Sequence, residues 1–231
     1  MIRRLSLSSL LTQSEDLARH LQVHFAVIEF RNHASGEMRM QAPTLVTERL
    51  VLRPFSEADI GPLAEVVFSN PAVMATLPGE PKSPKEYAEY AKSYVDLYLS
   101  SWADEEFGGW AVCCRHQSLG KPGSLLGFCG FEPGQIEGFG LELGFGYGEA
   151  CWGQGVGYEA AIGARDWFLQ QERWDLFYAC FVAGNTGSKR IIEKIGMTFL
   201  GDMDLWDSVK NGYGLLPVYT LDRKSFRHSG C

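Results

Sequence analysis

Trp152-Gly153-Gln154-Gly155-Val156-Gly157-Tyr158-Glu159-Ala160 joins an apolar strand to a long amphipathic segment, and its glycines decide what the junction can do. Glycines at alternate positions remove Cβ atoms and admit positive φ, so successive N–H groups can turn toward one point. Tyr158 to Gln171 carries helical periodicity. The first turn of such a helix offers unpaired N–H donors and about half a positive charge. Loop and helix together form a cradle suited to a pyrophosphate.

Outward from this junction the elements fall into order. Leu141 to Tyr147 reads as the strand before the loop, and Leu176 to Ala183 as a buried strand after the helix. Gly109 to Arg115 and Leu125 to Phe131 form a hairpin around Gly120-Lys121-Pro122-Gly123. Asn185 to Ile195 reads as a short helix ending at Gly196, followed by a strand near Thr198 and a last one from Pro217 to Leu221. Toward the N-terminus, Thr47-Glu48-Arg49-Leu50-Val51-Leu52-Arg53 alternates like a strand, and Ser56 to Asp59 opens a helix with a capping box that Asn70-Pro71 stops. After the turn with Pro78, Pro81 and Pro84, the residues Tyr87, Tyr90, Ala91, Tyr94, Leu97 and Tyr98 recur at helical spacing, and Asp104-Glu105-Glu106 ends that helix. Hairpins followed by a strand-helix-strand crossover imply an α+β fold, a mixed sheet with helices on both faces.

The 231 residues suffice for one well-buried core. A hydrophobic share of 45% with 21% charged excludes a disordered chain. No apolar run approaches the roughly 18 residues that a membrane span requires, so no membrane partner is expected. A net charge of −7 argues against a nucleic-acid partner and suits a cationic substrate. Cys113, Cys114, Cys129, Cys151, Cys180 and Cys231 form no C-x-x-C pair. They read as small buried hydrophobes in a reducing cytoplasm. Only His20 and His24 have a spacing a metal could use, and no metal is expected.

Residues 1–40 stand apart. Met1-Ile2-Arg3-Arg4-Leu5 has the look of a targeting signal, but Glu15 and Asp16 interrupt it before an apolar region develops. Secretion is not expected, a mitochondrial presequence being the alternative. Ser14 is placed to cap a helix with Leu17, Leu21 and Phe25 on one face, an appendage packed on the domain or on a partner. Met38 and Met40 offer other starting points.

Two ligands compete for the glycine loop. Gly155-Val156-Gly157-Tyr158-Glu159-Ala160 satisfies G-x-G-x-x-A, the dinucleotide fingerprint. That fingerprint wants an acidic residue closing the next strand, whereas Asp175 precedes Leu176. The strand before the loop also carries Glu142 among glycines, where a central parallel strand is an unbroken apolar run. No P-loop motif occurs. The other reading is coenzyme A.

Four blocks carry a specific resemblance: Thr47 to Pro54; Leu126-Gly127-Phe128-Cys129-Gly130; Glu142-Leu143-Gly144-Phe145 leading to Trp152–Ala160; and Asn185-Thr186-Gly187-Ser188-Lys189-Arg190-Ile191-Ile192-Glu193-Lys194-Ile195-Gly196-Met197. In order and spacing they resemble a GNAT-superfamily N-acetyltransferase, of the subgroup containing the RimJ and RimL ribosomal-protein acetyltransferases. The resemblance implies a single GNAT-type domain at residues 44–225, between an N-terminal extension (1–43) and a C-terminal tail (226–231). It further implies a mixed, mostly antiparallel twisted sheet, with a splayed strand pair forming the cleft for acetyl-CoA. It also implies transfer of an acetyl group to a primary amine by direct attack on the thioester.

Such a transfer requires a neutral amine, a fixed carbonyl, stabilisation of the oxyanion and a proton for the leaving thiolate. By the resemblance, the amides of Trp152, Gly153, Gln154, Gly155, Val156, Gly157 and Tyr158 hold the pyrophosphate. The backbone of Leu143, Gly144, Phe145 and Gly146 pairs with pantetheine, and glycines at 144 and 146 let the ligand approach. Asn185 binds the pantetheine amide, and Lys189 and Arg190 meet the adenosine phosphates. Glu142 is the preferred general base, its alternative being a solvent-facing or salt-bridged strand residue. An α-amine, with a reference pKa of about 7.7–8.0 against about 10.4 for lysine, needs the less help. Ser188 is placed to protonate the thiolate, or else to cap its helix.

Trp152 stands where many members place Arg or Gln, and Ile192 where many place a tyrosine acid. Both suit the RimJ/RimL-like subgroup and move the expected proton donor to Ser188. Leu200-Gly201 stands where that subgroup often has a glutamate, so a ribosomal-protein acceptor gains no support there. The acceptor is a peptide α-amine or a small amine, with an antibiotic- or polyamine-modifying enzyme, or a non-catalytic coenzyme A sensor, as alternatives. The tyrosine helix, the 101–110 segment and the loop from Asp204 to Tyr213 would select it. Trp102, Trp110 and Trp206 are either its apolar walls or core and dimer contacts. A monomer or homodimer is expected.

Overall fold

Leu50 and Leu52 are fully buried while Val51 and Arg53 are half-buried, the alternation that makes Leu50–Arg53 a strand with one face on a core. It belongs to a nine-stranded sheet in a computed structural model that describes residues 24–26, 42–77, 83 and 86–229. The strands are β1 (His24–Ala26), β2 (Thr44–Val46), β3 (Leu50–Arg53), β4 (Gly109–Cys114), β5 (Leu125–Pro133), β6 (Leu141–Tyr147), β7 (Leu176–Cys180), β8 (Thr198–Met203) and β9 (Leu216–Asp222). Their spatial order is β1-β2-β3-β4-β5-β6-β7-β9-β8, and every neighbouring pair is antiparallel except β6 and β7.

The helices are α1 (Ile60–Leu63), α2 (Pro71–Met74), α3 (Tyr87–Asp104), α4 (Val156–Gln170), α5 (Thr186–Lys194) and α6 (Arg223–Ser229). A 3₁₀ turn at Glu57–Asp59 and a π turn at Ala64–Phe68 run continuously with α1. The capping box is formed by Ser56 and Asp59, and Arg53 adds two bonds to the Asp59 carboxylate, at 2.7 and 2.8 Å.

Helices cover both faces of the sheet. On one, Val156, Ala160, Ala164 and Trp167 of α4 pack on Leu50, Leu52, Phe131 and Leu143. On the other, Ala91, Val95 and Tyr98 of α3 pack with Leu63 and Val67 on Ala111 and Phe128. Trp102 and Trp110 belong to the first core, their rings against Trp167, and so build no acceptor wall.

The expected strand over 47–53 is shorter. Thr47–Arg49 is a bend, because the Thr47 hydroxyl accepts from the Leu50 N–H at 3.0 Å and donates to Glu159 at 2.5 Å. Phe25 lies in β1, paired with Leu45, and not in a helix; Ser14, Leu17, Leu21 and His20 lie outside the described residues, as do Pro78, Pro81, Pro84 and Cys231. His24 sits in the same strand. Among the described residues no helix is long and apolar enough to cross a membrane.

Candidate active site

Gly153 and Gly155 adopt φ of 73° and 78°, the left-handed conformation that side chains resist, and α4 begins at Val156. Among the described residues neither glycine N–H donates to a backbone carbonyl, and those of Val156, Gly157 and Tyr158 belong to the first turn of the helix. A Cβ on Gly153 would meet open space. The loop is exposed while Val156 is buried beneath it. A ring of outward donors on a helix start fits the pyrophosphate of coenzyme A. Lys194 Nζ lies 4.9 Å from the centre of the Tyr158 ring, which adds a cation at this end.

The second component is a gap in the sheet. β6 and β7 share one register pair, Glu142 with Tyr178, and then separate. A cavity of about 730 Å³ adjoins the gap, bounded by Glu142, Leu143, Gly144 and Phe145 on one side and by Cys180, Asn185 and Ser188 on the other. Leu143 turns its side chain into the α4 core, so only its backbone faces a ligand. The glycines at 144 and 146 have a packing role within the sheet: a Cβ at 144 would lie 2.7 Å from Glu132 Oε1, and one at 146 would lie 2.6 Å from the Phe128 ring. They make room for side chains of β5.

Asn185 caps α5, its Oδ1 accepting from the Ser188 N–H at 3.0 Å. Ser188 is therefore relieved of capping; it lines the cavity, and its hydroxyl has no hydrogen-bond partner among the described residues. Lys189 pairs with Glu193 at 3.7 Å, whereas exposed Arg190 has no ion pair among the described residues. Trp152 is exposed, and its indole N–H donates to Tyr147 O at 3.0 Å, beside the loop.

Glu142 is buried, and each of its oxygens holds a donor: Tyr178 Oη at 2.6 Å on Oε2 and Cys180 Sγ at 3.2 Å on Oε1. Burial pushes its proton affinity above that of an ordinary carboxyl, against the pull of those donors. Tyr178 also accepts from the Gln135 N–H at 2.8 Å, and Gln135 Oε1 accepts from the Trp206 N–H at 3.0 Å. This network ties Glu142 to the loop from Asp204 to Tyr213. In that loop Trp206 and Asp207 take φ of 57° and 52°, unusual outside glycine and frequent where a site holds strain.

The sequence points to the tyrosine helix, to Trp206 and to the loop from Asp204, but not to Glu132 or Gln135. Glu132, Asp204, Asp207, Gln135 and Trp206 reach the cavity, with Tyr90 and Tyr94 from α3, and among the described residues no lysine, arginine or histidine lines it. Glu132 stands directly opposite Glu142 in the β5–β6 register. A hairpin centred on Glu137 would have revealed that pair. Burial first, then the charge of Glu142, push the Glu132 carboxyl up to about 7, with Tyr98 pulling it down. Burial and Glu132 hold the Tyr94 and Tyr98 hydroxyls well above the usual phenol range, so both remain donors at neutral pH. The result is an acidic cavity walled by phenols, suited to receive an ammonium group.

Comparison with known proteins agrees with this geometry. An uncharacterized protein of Bacillus subtilis, YkkB, is 29% identical over 189 residues, covering 81% of this chain and 99% of that protein. An acetyltransferase from Agrobacterium tumefaciens superposes with a TM-score of 0.61 at 23% identity, covering 83% and 99% of the two chains. Mycobacterium smegmatis RimJ, solved with a coenzyme A disulfide, superposes with a TM-score of 0.63 at 11% identity, covering 76% and 83%. At these identities the structures show a shared fold. The family described as acetyltransferase (GNAT) domain matches residues 49–198, and the chain belongs to it, as an acetyl-CoA-dependent N-acetyltransferase.

Proposed function

We propose that the protein acetylates a primary amine that arrives as a cation, either a peptide N-terminal α-amine or a small amine. The observation that carries this reading is the cavity beside the β6–β7 gap, which gathers Glu142, Glu132 and Ser188 with no basic residue among the described residues of its lining. Bound acetyl-CoA supplies a thioester whose carbonyl is open to attack by a neutral amine. The chain's own residues do the rest. Gly153 to Tyr158 fix the pyrophosphate, each charge-assisted bond contributing on the order of 1.5–3 kcal/mol. The backbone of Leu143, Gly144, Phe145 and Gly146 aligns the pantetheine arm, Asn185 meets its amide, and Arg190 with Lys189 meets the adenosine phosphates. Glu142 draws the ammonium into the cavity and holds it for deprotonation, while Ser188 passes a proton to the departing sulfur.

Kinship with the RimJ/RimL-like subgroup and a cytoplasmic location belong to the same reading, as does a domain at 44–225 with flanking segments. Asp204 and Asp207 in the lining favour a second acceptor class, amines that carry a further cation such as polyamines or aminoglycoside antibiotics. Thiol release with a panel of peptides, polyamines and aminoglycosides tests the proposal. Binding of acetyl-CoA with no amine acetylated would instead identify a sensor module, and tight NAD binding without coenzyme A binding would reject the loop assignment.

A further inference from the structure

Glu142 alone is poorly built to take a proton. Both of its oxygens already accept hydrogen bonds, from Tyr178 and Cys180, and that occupancy favours its ionised form. Glu132 differs in each respect. Its Oε1 accepts from the buried Tyr98 hydroxyl. No donor reaches Oε2 among the described residues, yet that atom is not among the enclosed polar atoms without a partner, so it opens on the cavity that Glu132 lines. Residues directly opposed on antiparallel strands hold their Cβ atoms about 4.5–5.5 Å apart on one face of the sheet. The register of Glu132 with Glu142 therefore places both carboxyls at one spot. The side chain of Glu132 leans along β6 over Gly144, where a Cβ would lie 2.7 Å from its Oε1. Gly144 is a residue of the strand assigned to the pantetheine arm, so the lean carries the carboxyl toward the reacting end of the donor.

We propose that Glu132 is a catalytic residue of the acetyl transfer, its Oε2 taking the proton of the acceptor ammonium while Glu142 holds that ammonium in place. This rests on the acetyl-transfer reading above. In the balanced step, R–NH₃⁺ gives one proton to Glu132 and becomes the nucleophile. The C–N bond forms, the C–S bond breaks, and the second proton leaving nitrogen passes through the Ser188 hydroxyl to the thiolate. Glu132 then returns its proton to solvent through the cavity.

The groups facing Glu132 make the arrangement self-consistent. Tyr90, Tyr94 and Tyr98 approach from α3, Glu142 from β6 and Cys180 from β7, and none of them is a cation at neutral pH. Burial and the neighbouring carboxylate raise the proton affinity of Glu132 to about 7, where a base both exists in its ionised form and holds a proton well.

Two measurements on the full chain test the proposal. Infrared difference spectra of wild type minus Glu132→Gln report the carboxyl stretch without any acceptor, and a midpoint near neutrality is expected; ionisation complete below pH 5 overturns the proposal. In thiol-release assays on whichever amine the wild type accepts, Glu132→Gln should lower kcat/KM by roughly 10²-fold or more and abolish the acid limb, with acetyl-CoA affinity unchanged. Tyr98→Phe, which keeps an aromatic ring in the core and removes the donor on Oε1, should move the acid limb to higher pH. Wild-type rates and an unshifted limb in both variants overturn the base role. A neutral infrared midpoint in a protein that acetylates no amine would instead reject acetyl transfer itself, and Glu132 catalysis with it.

Discussion

Arg49 Nε donates to Glu159 Oε2 at 2.8 Å, and the Arg49 backbone N–H donates to Oε1 of the same carboxylate at 2.7 Å. Thr47 Oγ1 donates the carboxylate's third bond, to Oε1 at 2.5 Å, and Arg49 Nη1 reaches back to Gln154 O at 3.0 Å. The bend between β2 and β3 thus grips the first turn of α4 and the glycine loop together. It does not line the cavity, yet it holds the Gln154 carbonyl of the loop and the Glu159 carboxylate of the helix at fixed positions.

Glu159→Ala should therefore weaken stability and acetyl-CoA binding together. The pair is mostly buried, Arg49 and Glu159 side chains being 28% and 10% exposed, and removing the carboxylate strands three donors. A loss on the order of 3 kcal/mol in urea unfolding is expected. Calorimetric titration should show at least a tenfold weaker affinity for acetyl-CoA. Unchanged affinity in the folded variant would mean that the loop holds its shape without the clamp.

Gly153→Ala and Gly155→Ala separate conformation from crowding. Both positions lie at positive φ, so each substitution costs roughly 1–2 kcal/mol of backbone strain. Only at 155 does the added Cβ also approach a side chain, 3.3 Å from Arg49 Nη2. Gly155→Ala should bind acetyl-CoA more weakly than Gly153→Ala, and Gly155→Asp should not bind it, since it sets a negative charge in an anion site. Equal affinities across the three would contradict the cradle.

Stability should fall as pH rises from about 4.5 to about 7. A carboxyl whose folded pKa lies above its unfolded value binds more protons when folded, and stability is then lost as pH climbs through that window. Glu132, raised from 4.5 to about 7, supplies this slope, and Glu142 is shifted in the same direction. Glu132→Gln keeps an acceptor for Tyr98 and cannot ionise. It should match wild type near pH 4 and exceed it at pH 8 by on the order of 3 kcal/mol. Denaturation at the two pH values measures this, and identical differences at both would show that Glu132 ionises as a solvated carboxyl.

What the sequence reveals divides along physical lines. The β4–β5 hairpin, β6, α4 and the capping box at Ser56 are local: periodicity, glycine turns and a hydroxyl three residues before a carboxylate specify them within a short window. The convergence of Glu142, Gly144, Asn185 and Ser188 on one cavity follows from the family pattern. Glu132 and the clamp on Glu159 escaped because their meaning is set by partners far along the chain, such as the 110 residues between Arg49 and Glu159. Trp102 and Trp110 were ambiguous for the same reason, since an aromatic side chain reads alike in a wall and in a core.

Ser188 and Asn185 invite opposite outcomes. Asn185 Oδ1 caps α5, so Asn185→Ala should cost about 1 kcal/mol of stability and also loosen the ligand-binding end of that helix. Ser188→Ala removes a hydroxyl that makes no protein contact among the described residues and should leave the melting temperature within about a degree, as expected of a substitution that breaks no bond. Its effect belongs in kcat. A thiol has a reference pKa of about 8.5, so its anion departs far more readily than an alkoxide, and protonating it matters less than deprotonating the amine. The loss in Ser188→Ala should stay below roughly 10²-fold and be smaller than that in Glu132→Gln. Rapid-quench kinetics with both variants would compare them directly, and a larger defect at Ser188 would place the rate-limiting proton at sulfur instead of nitrogen.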